Sequence, residues 1–499
     1  MTLAAFIMAV MLLNQSCSHD FEQINTDPNG TPRALPNQLL APALVNTVAT
    51  NMLRNRNFNN ELMQVTVNMS DAEYMVFRYD IRANVADNTW NNWYSQLTNF
   101  KDIFLIASEE DNYNESYMGI SLILQSWVHS LLTDTYGDTP YFEANKARDS
   151  LIFEPRFDKQ QEIYFDIFEK LDTANALLSV GRPIDANADP VFNGSVGNWR
   201  RFGNALQLRL LGRIAHKAEV ADTVIRKFRK IVENTTDYPR MTSNTHSAVL
   251  RWTGVPPYVS PFVNSVREQD FRGPAIASFF IDNLVTWNDP RIDIPTWGSD
   301  NINRWGIAAS QGAFVGVPSG YAVGEVVVKR SYFFSNTSAR SLMTDPMTGQ
   351  IMNFAEQQLL LAEAALKGWI DDNPETFYNS GALNSITLWL PEYNVPITNY
   401  LSAADMQWFE SDSFEEKMEK IHLQKYYAMF TTDFQQWFEY RRTGYPTLPK
   451  GSGLMNNGEI PSRLNYPVYV QSTNPTNYRA AVSSQGPDNI STKVWWQKP

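Results

Sequence analysis

Hydrophobic residues recur with a helical period along much of this chain. In the stretch 353–369, Phe354 and Leu361 fall on one face of a 3.6-residue repeat, with small alanines where another helix could approach closely. Gly368 closes that stretch and Pro374 opens the next segment. Glycine after the last periodic residue and proline at the first helical position are typical of helix ends. The pattern predicts two helices folded back on each other, as in an α-solenoid of helical hairpins.

Other segments of the chain show the same period and are predicted to be helices. They are 40–52, 90–104, 117–136, 158–178 and 199–218. Prolines and glycines interrupt the pattern after Arg251, and helical order resumes at Asn353. We therefore predict a mainly α fold with long irregular loops, in one domain spanning 17–499. Its parts are a helical scaffold at about 40–250 and 350–445, a loop-rich insertion at about 251–345 and an irregular tail at 446–499.

The N-terminal segment has the plan of an export signal. An apolar run from Leu3 to Leu13 is too short to span a bilayer and is followed by Cys17. A cysteine at this border is typical of a lipoprotein cleavage site, so residues 1–16 are predicted to be a signal peptide and Cys17 the lipidated residue. Two features depart from that plan, the absence of a basic residue before the run and the presence of Asn14. The alternative is an unstructured N-terminus with an incidental cysteine.

Composition argues against some classes of function. The formal net charge of -12 disfavours nucleic-acid binding, because such proteins normally present a basic face to phosphate. Cys17 is the single cysteine, which excludes an internal disulfide and a multi-cysteine metal site.

Motifs of catalysis and cofactor binding are not found in the sequence. The five histidines, which show no metal-ligand spacing, are His19, His129, His216, His246 and His422. There is no nucleophile elbow and no phosphate loop, so we predict no catalytic residue, metal or cofactor. The many carboxylates leave a glycoside hydrolase open as an alternative, because the separation of its acid/base pair is spatial.

A series of short strings along the chain resembles the SusD/RagB family. In order they are Asp27-Pro28-Asn29, Gly137-Asp138-Thr139-Pro140-Tyr141, Trp199-Arg200-Arg201-Phe202-Gly203-Asn204 with Leu208-Arg209-Leu210, Asn288-Asp289-Pro290-Arg291, Glu356 with Ala362-Glu363-Ala364, Arg441-Arg442-Thr443-Gly444-Tyr445-Pro446, Ile460-Pro461-Ser462-Arg463 with Tyr466-Pro467, and Val494-Trp495-Trp496. The resemblance covers essentially the whole mature chain. It implies a scaffold of tetratricopeptide-like helical hairpins and a cell-surface lipoprotein of the outer membrane. It also implies a partner, a TonB-dependent transporter of the SusC type, over which the lipoprotein sits as a ligand-capturing lid.

Charged residues within these strings are interpreted as scaffold rather than ligand contacts. They are Arg209, Arg291, Arg441, Arg442, Arg463, Glu356 and Glu363. Arginine beside aromatics and carboxylates commonly fixes helix ends and loops through forked hydrogen bonds and stacking.

The irregular loops contain the candidate ligand contacts. A sugar ring offers apolar C–H faces and a rim of hydroxyls, so a glycan site requires exposed aromatic rings beside polar side chains. Two loop regions contain that mixture, and the predicted contacts are Tyr74 and Tyr79 in the first and Trp297, Asn301, Asn303, Arg304, Trp305 and Tyr321 in the second. Trp305→Ala is expected to weaken ligand binding without unfolding the protein.

The sequence therefore predicts a non-enzymatic glycan-binding lipoprotein that delivers oligosaccharides to an outer-membrane transporter. The alternatives are a peptide-binding member of the same family, a glycoside hydrolase and a purely structural solenoid adaptor.

Overall fold

The computed structural model describes residues 34–292 and 303–498. Cys17 and the signal-like segment lie outside these ranges. In the described residues the longer helices are α1 Pro36–Arg54, α2 Val85–Ala107, α3 Glu115–Tyr136, α4 Gln160–Ser179, α5 Val196–Ile214, α6 Ala221–Glu233, α7 Ser278–Thr286, α8 Phe354–Leu366, α9 Pro374–Thr387, α10 Ile397–Ala403, α11 Phe414–Ala428, α12 Gln435–Thr443 and α13 Pro475–Gln485. None of the described helices combines the length and the apolar character that a membrane span requires. The mainly helical prediction is confirmed.

Short antiparallel ribbons join segments that are distant in the sequence. The pairs are β1 Thr66–Val67 with β5 Ala275–Ile276, β2 Thr139–Pro140 with β3 Phe157–Asp158, β4 Ala248–Leu250 with β8 Gly349–Met352, and β6 Ile307–Ala308 with β7 Tyr332–Phe333. They hold the irregular segments at fixed positions on the helices.

Helices that follow one another along the chain pack side by side. From α1 to α6 each helix contacts the next, α5 also contacts α8, and α8 packs against α9 and α11. Helix α3 is buried along almost its whole length, because α2 and α4 cover it on two sides. The result is a stack of helical hairpins.

The hairpin of α8 and α9 shows how the sequence sets this packing. Gly368 adopts φ 69°, a left-handed conformation that favours glycine, and the side chain of Asn373 caps α9 by accepting from the backbone N–H of Glu375. Gly381 of α9 lies so close to Leu359 of α8 that an added Cβ would be 2.5 Å from the leucine Cγ. The hairpin predicted from the hydrophobic period is confirmed.

Buried ion pairs hold helix α8 against two other helices, one from each part of the helical scaffold. Arg209 of α5 donates to Glu356 of α8 through Nε at 2.6 Å and through a second guanidinium nitrogen at 2.7 Å. Arg442 of α12 binds Glu363 of α8 in the same forked manner, at 2.7 and 2.6 Å. Removing one partner of such a pair leaves an uncompensated buried charge. The interpretation of these side chains as scaffold is confirmed.

The segment 251–345 is irregular in its backbone, yet it contributes to the core. Trp252 and Trp287 are buried with helix α7, whose Phe280 packs against Phe430 from the C-terminal block. The segment 446–498 also packs, because Trp496 is fully buried and donates from its indole N–H to Asp134 at 2.9 Å.

Candidate ligand-binding site

The loop before α2 presents one of the predicted aromatic contacts to solvent. Tyr74 is 43% exposed, and the guanidinium of Arg82 lies 4.6 Å from its ring centroid. The backbone of Tyr74 is left-handed, with φ 62°, and its N–H donates to the carboxylate of Asp80 at 2.7 Å. A non-glycine residue held in this conformation costs about 1 kcal/mol or more, and such strain concentrates at functional sites. Tyr74 is the exposed ring among the predicted rings that the structure describes.

Tyr79 and Tyr321 are buried, so their expected exposure is wrong. Each is only 5% exposed. Tyr321 packs 5.3 Å from Phe77, and Arg78 lies over its ring at 4.9 Å while donating to its backbone carbonyl at 3.0 Å. Phe77 and Tyr321 belong to a small core at the ribbon of β1 and β5, which draws the two predicted loop regions together, whereas Tyr79 packs in the main core.

The expectation of an exposed Trp305 is also wrong. Its side chain has no exposed surface and lies among Phe280, Trp389 and Phe430, with the guanidinium of Arg291 4.8 Å from its ring centroid. Its polar sequence neighbours reflect the turn at Gly306, where φ is 62°, and not exposure of the ring.

Asn303 and Arg304 are engaged within the protein as well. The side chain of Asn303 is buried and bonds both the carbonyl of Ile307, at 2.6 Å, and its N–H, at 2.9 Å. Arg304 is half-buried and donates to the carbonyl of Trp389 at 2.9 Å and to Asp345 at 3.0 Å. Trp297 and Asn301 lie outside the described residues.

A concave surface that is open to solvent lies beside α2, and we call it the aromatic cleft. It has a volume of about 350 Å³ and is lined by Trp90, Asn91, Tyr94, Pro140, Ala144, Asn145, Ala147, Ile152, Phe153, Pro155, Phe157, Tyr469, Val470, Thr473 and Asn474. Trp90 and Tyr94 are one helical turn apart, and their rings lie 5.0 Å from each other. Tyr469 is 40% exposed and Phe153 is 72% exposed, so both offer apolar ring surface to a ligand.

Amide side chains supply the polar groups of the aromatic cleft. The carbonyl oxygen of Asn91 accepts from the hydroxyl of Tyr469, and its exposed amide nitrogen has no partner among the described residues. Asn145 donates to the carbonyl of Tyr94 at 2.8 Å, and Asn474 donates to the carbonyl of Pro155 at 2.7 Å. Burial raises the pKa of Tyr94 well above its usual value. The residues that line the cleft include no acidic or basic side chain, and they combine ring faces with the amide donor of Asn91, as neutral hydroxylated ligands require.

Sequence reasoning missed this cleft because three separate segments build it. The pattern around Trp90 and Tyr94 indicates a core-facing helix, and Trp90 is indeed buried. The missed signal is the apolar group Leu151, Ile152 and Phe153, which stands between polar residues in a turn-rich segment.

One buried cluster has the residue types of a metal site. Ligand atoms of Glu363, His422 and Glu439 lie within 4.8 Å of one another. Cationic side chains already satisfy the carboxylates, since Arg442 bonds both and Lys425 donates to Glu439 at 2.7 Å. Burial opposes ionisation of Glu363, but the charge of Arg442 holds its pKa well below the usual value. Burial lowers the pKa of His422 to about 3, so the histidine is neutral and the cluster is an ionic network of the scaffold.

Comparisons with known proteins agree with this architecture. A family model described as SusD-like, starch-binding associating with outer membrane, matches residues 28–467. A SusD homolog from Bacteroides uniformis is 23% identical with a TM-score of 0.74, and the match covers 92% of this chain and 99% of that one. A SusD homolog from Bacteroides fragilis is 24% identical with a TM-score of 0.75, covering 93% and 100%. A chitin-binding SusD homolog from Flavobacterium johnsoniae is 21% identical with a TM-score of 0.76, covering 93% and 98%.

A search of curated proteins finds no significant match. The family model nevertheless spans most of the sequence, and the solved structures share the fold over more than nine-tenths of the chain. The chain belongs to the SusD-like family.

Proposed function

We propose that this protein is a non-enzymatic, cell-surface glycan-binding lipoprotein that captures oligosaccharides and delivers them to a TonB-dependent outer-membrane transporter of the SusC type. Membership of a family described as starch-binding and outer-membrane associated supports this, as does similarity to a chitin-binding homolog. The observation that carries the proposal is the aromatic cleft, because its ring faces and amides match the two surfaces of a sugar.

The cleft engages a sugar in two ways. The exposed ring of Tyr469 stacks on the apolar C–H face of a pyranose, with Phe153 beside it. The amide nitrogen of Asn91 donates to a ring hydroxyl at the edge of the same unit. Tyr74, with Arg82 over its ring, provides a second stacking surface at the loop before α2.

Native affinity electrophoresis against neutral and acidic polysaccharides tests the proposal. Retardation by at least one polysaccharide is expected, and it should be lost in the double variant Phe153→Ala, Tyr469→Ala. If no polysaccharide retards the protein and peptides bind instead, the protein is a peptide-capturing member of the family. Release of reducing ends from a bound polysaccharide would show a glycoside hydrolase and overturn the non-enzymatic part of the proposal.

Attachment to the membrane and binding to the transporter are tested by separate experiments. Cys17→Ala in the full chain should move the protein from the outer-membrane fraction to the soluble fraction, because an unlipidated chain has no acyl anchor. The wild-type protein should co-purify with a TonB-dependent transporter from detergent-solubilised outer membranes. Retention of the Cys17→Ala variant in the membrane fraction after a high-salt wash would contradict the assigned anchor.

A further inference from the structure

A second cavity adjoins the aromatic cleft, and we call it the cationic pocket. It has a volume of about 490 Å³ and lies between α2, α3, α4 and the segment 141–150. Its basic residues are Lys101, Lys146, Arg148 and Lys170, and its apolar wall includes Leu105 and Phe142. Both apolar side chains are exposed, at 47% and 39%. The pocket thus offers cationic groups beside apolar surface.

Two of the ammonium groups have no carboxylate partner among the described residues. Lys101 donates to the carbonyl of Ala144 at 2.7 Å and to the side-chain oxygen of Asn145 at 3.3 Å, so its Nζ keeps one further N–H available. Lys146 is exposed on the rim and makes no side-chain hydrogen bond within the described part of the chain. Neither charge therefore forms an ion pair within the described part of the chain.

The other two cations are balanced locally. Arg148 pairs with Asp102 and Asp149, each at 2.8 Å, and Lys170 pairs with Asp166. Four cations therefore face three carboxylates at the pocket. The excess is positive, although the chain as a whole carries a formal charge of -12.

Buried groups at the pocket respond to this positive excess. His129 is 2% exposed, and its Nδ1 has no hydrogen-bond partner in the described structure. Burial, and then the charges of Lys101 and Lys170, lower its pKa well below the usual value. Burial, with the neighbouring charges of Lys170 and Lys146, lowers the pKa of Lys101 to about 8. An anion entering the pocket would relieve both repulsions.

The pocket and the aromatic cleft share a wall. Ala144 and Asn145 line both cavities. Asn145 has a left-handed backbone with φ 62°, as does Leu151 with φ 56°, and the Leu151 side chain is 74% exposed. Asparagine adopts this conformation readily, but a leucine that is both strained and exposed indicates a position selected for something other than stability.

We propose that the glycan captured by this protein is acidic. One sugar ring stacks in the aromatic cleft, and the anionic substituent of a neighbouring unit, a uronate carboxylate or a sulfate ester, crosses Asn145 and is held by Lys101 and Lys146. This rests on the proposed function and specifies its ligand. Hydrogen bonds between ions are roughly twice as strong as neutral ones, so the pocket selects charged over neutral glycans of the same backbone.

Matched pairs of polysaccharides test this inference. The pairs are polygalacturonate with fully methyl-esterified pectin, alginate with its propylene glycol ester, and κ-carrageenan with chemically desulfated κ-carrageenan. Affinity electrophoresis should show the acidic member of at least one pair binding about tenfold tighter than its neutral partner. Preference within the first two pairs identifies a carboxylate, and preference within the third identifies a sulfate.

Lysine variants test whether the cationic pocket causes the preference for acidic polysaccharides. Lys146→Gln alters an exposed side chain that makes no hydrogen bond or ion pair to the residues that the structure describes, and it should lower the preference a few-fold. The double variant Lys101→Gln, Lys146→Gln should abolish the preference. Lys159→Gln removes the same charge from an exposed residue outside the pocket and should leave the preference intact. Equal binding of both members of every pair, or an undiminished preference in the Lys146→Gln variant, would overturn the inference while neutral-glycan binding still supported the proposed function. Failure of every polysaccharide to bind would overturn both.

Discussion

Replacing Tyr469 with alanine measures what the aromatic cleft contributes to ligand binding. The side chain is 40% exposed, which for a tyrosine of roughly 200 Å² leaves about 80 Å² open to a ligand. A sugar covering between half and all of that surface would gain about 1 to 2 kcal/mol at ~25 cal/mol per Å². Tyr469→Ala should therefore weaken binding by roughly 5- to 30-fold.

Isothermal titration calorimetry with an oligosaccharide from the best-binding polysaccharide provides the measurement. Tyr113→Ala is the matched control, because Tyr113 is 44% exposed and lies outside the cleft. Both variants should keep the wild-type melting temperature within a few degrees, since neither side chain is part of the hydrophobic core. Binding by Tyr469→Ala within twofold of wild type, or equal weakening by both variants, would refute the cleft as the stacking site.

Three further predictions concern residues at the loop surface and in the core. Tyr74→Ala should weaken glycan binding about fivefold in the same titration without lowering the melting temperature, because the ring and its Arg82 neighbour form an exposed surface. Trp305→Ala should lower the free energy of unfolding by about 3 to 5 kcal/mol in urea, because it empties a fully buried site; a variant that stays as stable as wild type would contradict this. Burial raises the pKa of Glu61 from 4.5 to about 7, so the folded protein favours the protonated carboxyl group. The contribution of this protonation to the free energy of unfolding is complete below pH 4.5 and is lost as the pH rises through 7. Glu61→Gln keeps a carbonyl acceptor for the backbone N–H of Phe77 and should stabilise the fold by about 1 to 3 kcal/mol at pH 8 but little at pH 4.5, and equal effects at both pH values would disprove the assignment.

The helices could be predicted from sequence because their determinants are local. The segment 117–136 becomes α3, Glu115–Tyr136, which is capped by the side chain of Asn114, and 158–178 becomes α4, Gln160–Ser179. Helix α6 is not among the predicted segments, although Val224 and Phe228 bury one of its faces. Periodicity and capping operate within a few residues, so they survive without knowledge of the tertiary structure.

The ligand site could not be predicted in the same way, because exposure depends on distant residues. Trp305 has turn-forming neighbours, but Phe280 and Phe430 cover it from elsewhere in the sequence. Tyr469 lies in the C-terminal tail, which packs beside α2, and its hydroxyl donates a hydrogen bond to the side-chain oxygen of Asn91. Local composition identifies which residues could bind a sugar, and only the tertiary arrangement determines which of them reach solvent.

The ribbon of β4 and β8 affects how this protein could acquire new ligands. Leu250 and Gly349 face each other across this ribbon, so the two ends of the intervening segment lie side by side and the segment forms a closed loop. Doubling the length of a closed loop costs only about 0.6 kcal/mol in chain entropy. Gly254, Gly312 and Gly324 lie in open turns of that loop, where an added Cβ would meet no neighbouring atom within 4 Å. Insertions and deletions at these turns would change the outer surface without changing the packing of the helices. The turns are therefore suitable positions for joining a loop from one homolog to the scaffold of another.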